Sequence, residues 1–209
     1  MARYNVVPTK TNLARLKRDL NFAQEGHELL EQKRQILVVE LMGLLDRTAD
    51  AQEKVETGLA EAFRALQESV LTMGRKPVAD LAPGVHIDSD ITLDFRRIMG
   101  VNIPKVDVEI RDYAPYFSLA DTSFWIDETI LHFKEVLQEI GKLAEMRISL
   151  MRLAQEVQKT MRRVNALEKI AIPDFRESIS YIEDTLEESE REMFAMQKVI
   201  KERLEKTKR

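Results

Sequence analysis

Histidines, cysteines and clustered carboxylates are the side chains from which a catalytic or metal site could be built. The sequence contains no cysteine, which excludes disulfides and thiolate chemistry and is typical of a reducing cytoplasm. His27, His86 and His132 are far apart and fall in three different predicted elements. None has the carboxylate neighbours expected of a metal site or a general base, and no phosphate-binding glycine loop or nucleophile elbow occurs. We therefore predict no catalytic residue, no cofactor and no metal.

Charged side chains are concentrated near the C-terminal end of the chain. An acidic run is followed by a basic one, made up of Glu187, Glu188, Glu190, Glu192, Lys198, Lys201, Lys206, Lys208 and Arg209. This order suits the dipole of a solvated helix, and electrostatic docking into a charged collar is the alternative. Over the whole chain the two signs are interspersed with a net charge of −4, so the sequence predicts no nucleic-acid partner.

The composition favours long helices exposed to water. Charged residues make up 33 % of the 209 residues, whereas only 7 are glycine and 6 are proline. No run of about 18 uncharged apolar residues occurs, and the first five residues lack the apolar segment of a secretion signal. We expect a cytoplasmic protein that is not inserted into the membrane.

The elements that would carry these residues are two long amphipathic helices. From Ile126 to Ile200, steps of four and three residues land mostly on apolar side chains, the pattern of a helix wrapped around another helix. The same rhythm runs from Leu13 to Val55 and then continues after a slip of about one residue. Gly26, Gly43 and Gly58 lie inside this first helix; they are either tolerated weak points or positions of close approach by a partner backbone.

Proline and glycine interrupt the helical pattern between Gly74 and Pro115, where alternation of apolar and polar residues predicts two or three short strands. The predicted fold class is mainly α, a long antiparallel two-helix coiled coil with a small β-hairpin head. The predicted divisions are a helix over 1–73, the head over 74–117 and a second helix over 118–209. Pro173 should kink or locally unwind the second helix.

An antiparallel arrangement that puts Leu37 opposite Ala154 also brings the other apolar positions together, although a shift by a whole heptad would preserve the phase. The predicted seam consists of Leu13, Leu20, Leu37, Leu41, Val55, Leu137, Met151, Ala154, Ile172 and Ile179. It pairs His27 with Asn165 and Arg34 with Gln158, a polar layer of the kind that fixes register in coiled coils.

In this register the N-terminal end of the first helix lies opposite about residue 182, so the part of the second helix after this residue extends alone. That segment still carries apolar residues, namely Leu186, Met193, Phe194, Met196, Val199 and Ile200. A solitary helix does not keep such a stripe for water, which indicates that a partner surface covers it.

Several segments, in order along the chain, resemble the D subunit of vacuolar and archaeal-type rotary ATPases. They are Pro8-Thr9-Lys10, Leu16-Lys17, Gly26-His27, Lys33-Arg34, Met99-Gly100-Val101-Asn102-Ile103-Pro104, Arg162-Arg163-Val164-Asn165-Ala166-Leu167-Glu168, Ile172-Pro173, Tyr181-Ile182 and Glu190-Arg191-Glu192.

The resemblance implies a non-catalytic rotor shaft peripheral to the membrane. It also implies three partners: a ring of catalytic A and B subunits around the paired termini, an F subunit along the coil, and a funnel-shaped socket protein, the C or d subunit, above the membrane rotor ring. The tip residues 186–200 would bear on the surrounding ring. A prefoldin-like chaperone or a structural adaptor is the alternative, because it also joins two coil helices through strands. Its coils are shorter and its strands assemble into an oligomeric barrel.

Overall fold

The computed structural model describes residues 6–111, 115–118 and 122–207 of the chain. Its elements are, in order, α1 (Lys10–Met73), α2 (Arg75–Leu81), a 3-10 turn (Ala82–Gly84), β1 (Asp88–Ile98), β2 (Val101–Arg111), α3 (Phe124–Ala166), a π-helical turn (Leu167–Ala171) and α4 (Ile172–Thr207). Long helices at both ends and a small antiparallel sheet between them confirm the predicted fold class.

The chain divides into two compact units. The first unit comprises Met1–Gln35 and Gln158–Arg209, and the second comprises Ile36–Val157. The start of α1 therefore belongs to the first unit and the rest of this helix to the second.

Short polar side chains cap the long helices. The Oγ1 atom of Thr9 accepts a hydrogen bond of 3.2 Å from the backbone N–H of Asn12, so Thr9 satisfies a free donor in the first turn of α1. The second long helix was predicted to begin at residue 118. Residues 119–121 lie outside the described part of the chain, and α3 begins at Phe124, directly after Ser123.

The head contains a short α-helix that the sequence pattern did not predict. Proline and glycine suggested that no helix forms after Gly74, yet α2 begins at Arg75 and includes Pro77. Proline is tolerated there because the first turn of a helix has no intrahelical acceptor for its N–H groups. Val85 and Ile87 precede β1 and belong to neither strand.

The hairpin packs against the long helices of the second unit with one face near its turn and with the opposite face farther along β2. Val101 and Ile103 are buried in a core with Leu37, Leu44 and Leu153, whereas farther along β2 the residues of the other face, from 104 to 110, are buried or half-buried. A two-stranded ribbon twists strongly, so its two faces turn toward the helices at different points along its length. The change occurs at Ile103 and Pro104, which are adjacent in sequence and both buried.

From Val136 onward, the buried stripe of α3 lies one residue earlier than the predicted one, whereas Ile126 is buried in the predicted phase. Val136, Leu153 and Val164 are buried, whereas Leu137 and Ala154 are exposed. The sequence carries apolar residues at both members of several such neighbouring pairs, so periodicity alone could not choose between them.

The π-helical turn brings the stripe back to the predicted phase. A π turn contains one residue more than an α turn, so the inward face moves from Val164 before it to Ile172 after it. Pro173 lies in the first turn of α4, immediately after the π turn, and its ring would clash with the carbonyl group of Lys169 in a regular α-helix. The local unwinding predicted from Pro173 takes this form.

Candidate functional site

In the first unit, α1 and α4 are held together by a small apolar core. Leu16, Ile179 and Ile182 are buried, and Ile182 is only 1 % exposed. Partly buried side chains pack around them, namely Leu13, Leu20, Phe175 and Leu186. These contacts join the beginning of α1 to the part of α4 between Phe175 and Leu186.

Two exposed ion pairs show the register of this antiparallel packing. The Nζ atom of Lys10 lies 2.6 Å from Oε1 of Glu190, and that of Lys17 lies 2.6 Å from Oε1 of Glu183. This arrangement is displaced by roughly one heptad from the predicted one, which put His27 opposite Asn165. Contacts therefore continue beyond residue 182, where the sequence predicted the single helix to begin. The hydrogen bond to Glu190 raises the pKa of Lys10 above its usual value.

The ten predicted seam residues fall into three groups in the structure. Five face inward and are buried or half-buried in α1, namely Leu13, Leu20, Leu37, Leu41 and Val55. Ile172 and Ile179 are buried in α4, whereas Leu137, Met151 and Ala154 are exposed in α3. The exposed three lie in the stretch where the stripe is displaced by one residue.

The residues of the predicted polar layer have other neighbours. Arg34 is half-buried and donates hydrogen bonds to Glu31 on its own helix, one of them 2.7 Å long from Nε. The hydrogen bond from Arg34 lowers the pKa of Glu31. Gln158 is exposed and accepts a hydrogen bond of 3.0 Å from Arg162. Asn165 is also exposed, while His27 is half-buried, so the structure differs from the predicted pairing at this layer.

An exposed apolar stripe follows the part of α4 that contacts α1. Leu186 is half-buried against the core around Ile182. Beyond it, the remaining predicted tip residues are all exposed large apolar side chains: Met193, Phe194, Met196, Val199 and Ile200. We call these five residues the tip stripe.

In the second unit, α3 anchors the hairpin through residues that the sequence analysis did not select. The backbone N–H of Val106 donates to Oε2 of Glu145 at 2.8 Å, and the carbonyl oxygen of Asn102 accepts from Arg152 at 2.8 Å. At Gly141, an added Cβ atom would lie 2.3 Å from Cγ2 of Val108. A glycine inside an amphipathic helix was the available signal for this close approach.

The glycines that the sequence analysis did select differ from one another. At Gly58 an added Cβ atom would lie 2.8 Å from Cγ2 of Val136, so this position is one of close approach by a side chain. At Gly26 and Gly43 an added Cβ atom would have no neighbour within 4 Å.

His132 has the nearest arrangement to an acid–base pair. Its Nε2 atom lies 3.5 Å from Glu128, and its Nδ1 atom lies 3.7 Å from Glu135. Among the residues that the structure describes, no group of three or more histidine, cysteine, aspartate or glutamate side chains is arranged to hold a metal ion. Within the same residues, no helix has an apolar stretch long enough to cross a membrane.

Comparison with known proteins identifies the family. The family model for the D subunit of ATP synthase matches residues 12–202. The chain belongs to this family of ATP synthase D subunits. It is 36 % identical over 200 residues to the V-type ATP synthase D subunit of Thermotoga neapolitana, covering 96 % of this chain and 98 % of that protein. It is 37 % identical over 203 residues to the A-type ATP synthase D subunit of Thermococcus sibiricus, covering 96 % and 95 %.

Membership in the D-subunit family makes this chain one component of a multi-subunit ATP synthase. Two of the segments through which the sequence resembles the family have defined places in the fold. Met99 and Gly100 form the turn of the hairpin, and the segment 162–168 runs into the π turn.

Proposed function

We propose that this chain is the central stalk of a V/A-type rotary ATPase and carries torque between the catalytic ring and the membrane rotor. In this proposal the A and B subunits perform the chemistry, and the D subunit performs none. Family membership and the exposed tip stripe beyond the α1–α4 contacts are the supporting observations.

The proposed mechanism depends on the unequal lengths of the two paired segments. Because the tip stripe continues beyond Glu190, where α4 contacts Lys10, the exposed apolar surface at this end comes, among the described residues, from α4. A ring of A and B subunits that encloses this end would meet a different surface at each angle of rotation. Each angle would then favour a different conformation of the neighbouring subunits and so couple rotation to catalysis.

The proposed partners are those of a central stalk. The A and B ring would surround the termini, an F subunit would bind along the coil, and the socket protein (the C or d subunit) would receive the other end above the membrane ring. In this arrangement the protein is cytoplasmic and peripheral to the membrane.

Truncation of α4 tests the role of the tip stripe. A chain ending at Glu192 loses the whole stripe but keeps the apolar core around Ile182 and the Lys10–Glu190 ion pair. We expect the truncated chain to fold and to co-purify with the other synthase subunits, with less ion transport for each ATP hydrolysed. ATP-driven ion uptake and ATP hydrolysis are measured in the same vesicles.

The matched control is a chain ending at Leu204, which keeps the stripe and loses only the residues after it. We expect it to couple as the full chain does. Equal coupling in both truncated complexes would contradict the proposed bearing role, and failure of the full chain to co-purify with synthase subunits would contradict the central-stalk proposal itself.

A further inference from the structure

The two edges of the hairpin have different surroundings. On the β2 edge, the N–H of Val106 is bound by Glu145 and the carbonyl group of Asn102 is bound by Arg152, both from α3. Helix α3 thus occupies hydrogen-bonding positions of this edge. The sheet of the described residues has only two strands, so β1 forms its other edge.

The turn determines which backbone groups of β1 point away from β2. Residues 99–100 both have positive φ, 48° and 84°, and connect the paired residues Ile98 and Val101. In such a two-residue turn the flanking pair exchanges hydrogen bonds, and pairs along the strands then alternate. The Leu93–Val106 pair is consequently a non-hydrogen-bonded one. The contact from the Val106 N–H to α3 agrees with this assignment.

The middle of the β1 edge is therefore open, and one of its two faces is apolar. Ile91, Leu93 and Phe95 direct their N–H and carbonyl groups away from β2, and their side chains are 60 %, 61 % and 63 % exposed on one face of the sheet. Proteins usually shorten, charge or cover the edge strands of sheets, because an open edge is a template for another strand. An edge of 11 residues with this centre fits the addition of a strand.

Charge at the two ends of β1 specifies the chemistry of the added strand. Asp88 lies at the beginning of the strand and Arg96 near its end. The other charged residues of β1 have neighbours within the hairpin: Asp90 is ion-paired with Arg111, Asp94 lies opposite Lys105, and Arg97 donates a hydrogen bond to Asn102. We propose that the β1 edge binds an extended strand from a different protein of the synthase. This strand carries a basic residue beside Asp88, an acidic residue beside Arg96 and apolar residues between them. The identity of the partner as a synthase component rests on the proposed function.

A second copy of this chain is the competing occupant. An antiparallel copy of β1 centred on Leu93 would put Asp90 beside Arg96, so its charges are also complementary. Membership in a multi-subunit synthase favours a different protein, because the complex holds other chains beside this one.

Amide hydrogen exchange gives a signature that is specific to strand addition. It is measured at single-residue resolution in the purified synthase and in the isolated full-length chain. The amides of Ile91, Leu93 and Phe95 should exchange at least about tenfold more slowly in the complex, since they gain acceptors there. The amides of Thr92 and Asp94 point toward β2 and should be protected in both samples. A partner that merely covers the hairpin would not produce this alternation.

The Leu93→Pro variant removes one outward donor without removing a hydrogen bond of the hairpin. The chain already has Pro104 at the equivalent outward-facing position of β2, opposite Phe95. In complexes with Leu93→Pro, we expect the protection of Ile91 and Phe95 to fall by about tenfold or more, while the amide of Thr92 stays protected. The control Leu93→Ala keeps the N–H group and should preserve most of the protection.

The outcomes separate this proposal from the proposed function. Fast exchange at all three outward amides in a complex that contains the chain would overturn strand addition and leave the central-stalk role intact. If the outward amides of β1 are protected in the isolated chain and lose this protection on dilution, the added strand comes from a second copy of this chain. That result would overturn the proposal of a strand from a different protein. Absence of the chain from the purified synthase would overturn both proposals.

Discussion

The contact between Gly141 and Val108 allows a sharp test of how the hairpin is held. In an ordinary exposed helix, replacing glycine by alanine stabilises by up to about 1 kcal/mol. At Gly141 the new Cβ atom would lie 2.3 Å from Cγ2 of Val108, far inside van der Waals contact. Valine is stiff at χ1, so β2 itself must move, and overpacking of this kind costs about 1–3 kcal/mol. We expect Gly141→Ala to destabilise the docked hairpin by a net ~0–2 kcal/mol.

A double-mutant cycle isolates the clash. Val108→Ala removes Cγ2 and leaves the Val108 Cβ position 3.4 Å from the new atom, which is tight but requires only a small adjustment. In that background Gly141→Ala should stabilise by up to about 1 kcal/mol, as it would in an open helix. The two substitutions should therefore be coupled by ~1–3 kcal/mol.

The assay combines urea denaturation with hydrogen exchange of the Val106 amide, which reports docking through its bond to Glu145. Gly43→Ala is the matched control, because an added Cβ atom there has no neighbour within 4 Å and should stabilise in either background. If Gly141→Ala stabilises the unmodified chain as much as Gly43→Ala does, with unchanged protection of Val106, then the close approach is not what positions the hairpin.

Three further predictions concern the hairpin turn, the apolar core around Ile182 and the hydrogen bond between Arg34 and Glu31. Met99 has φ 48° in the hairpin turn, where asparagine is preferred, so Met99→Asn should slow exchange of the hairpin amides by an amount equivalent to about 0.5–1 kcal/mol. Ile182→Ala should lower the free energy of unfolding by ~2–5 kcal/mol and Ile200→Ala by less than ~0.5, because these side chains are 1 % and 56 % exposed; similar losses in urea melts would contradict the assigned core. The pKa of Glu31 is lowered by its bond to Arg34, so its contribution to stability is present above pH 4.5 and is lost as the pH falls through the folded pKa. Thermal melts of Glu31→Gln between about pH 3 and 7 should show a shallower acid dependence than the unmodified chain, and parallel curves would contradict this reasoning.

Local sequence patterns predicted the two long helices, the strands between them and the family. Apolar periodicity is a local property, so the helix ending at Met73 and the long helical stretch toward the C-terminus could be predicted from it. Alternation likewise predicted strands between the helices, although it did not predict α2 before them. The segment around Asn165 supplied the resemblance that the comparisons confirm.

Which residues of these elements face the core depends on contacts between segments that are distant in sequence. Val136 and Leu137 are equally suitable for a core, and packing alone buries the first. The heptad repeat permits several registers, and the ion pair between Lys10 and Glu190 belongs to one that the pattern could not distinguish. The contact at Gly141 joins residues distant in sequence, so periodicity contains no information about it. Local patterns fix which residues can be buried, whereas the partner surface fixes which of them are.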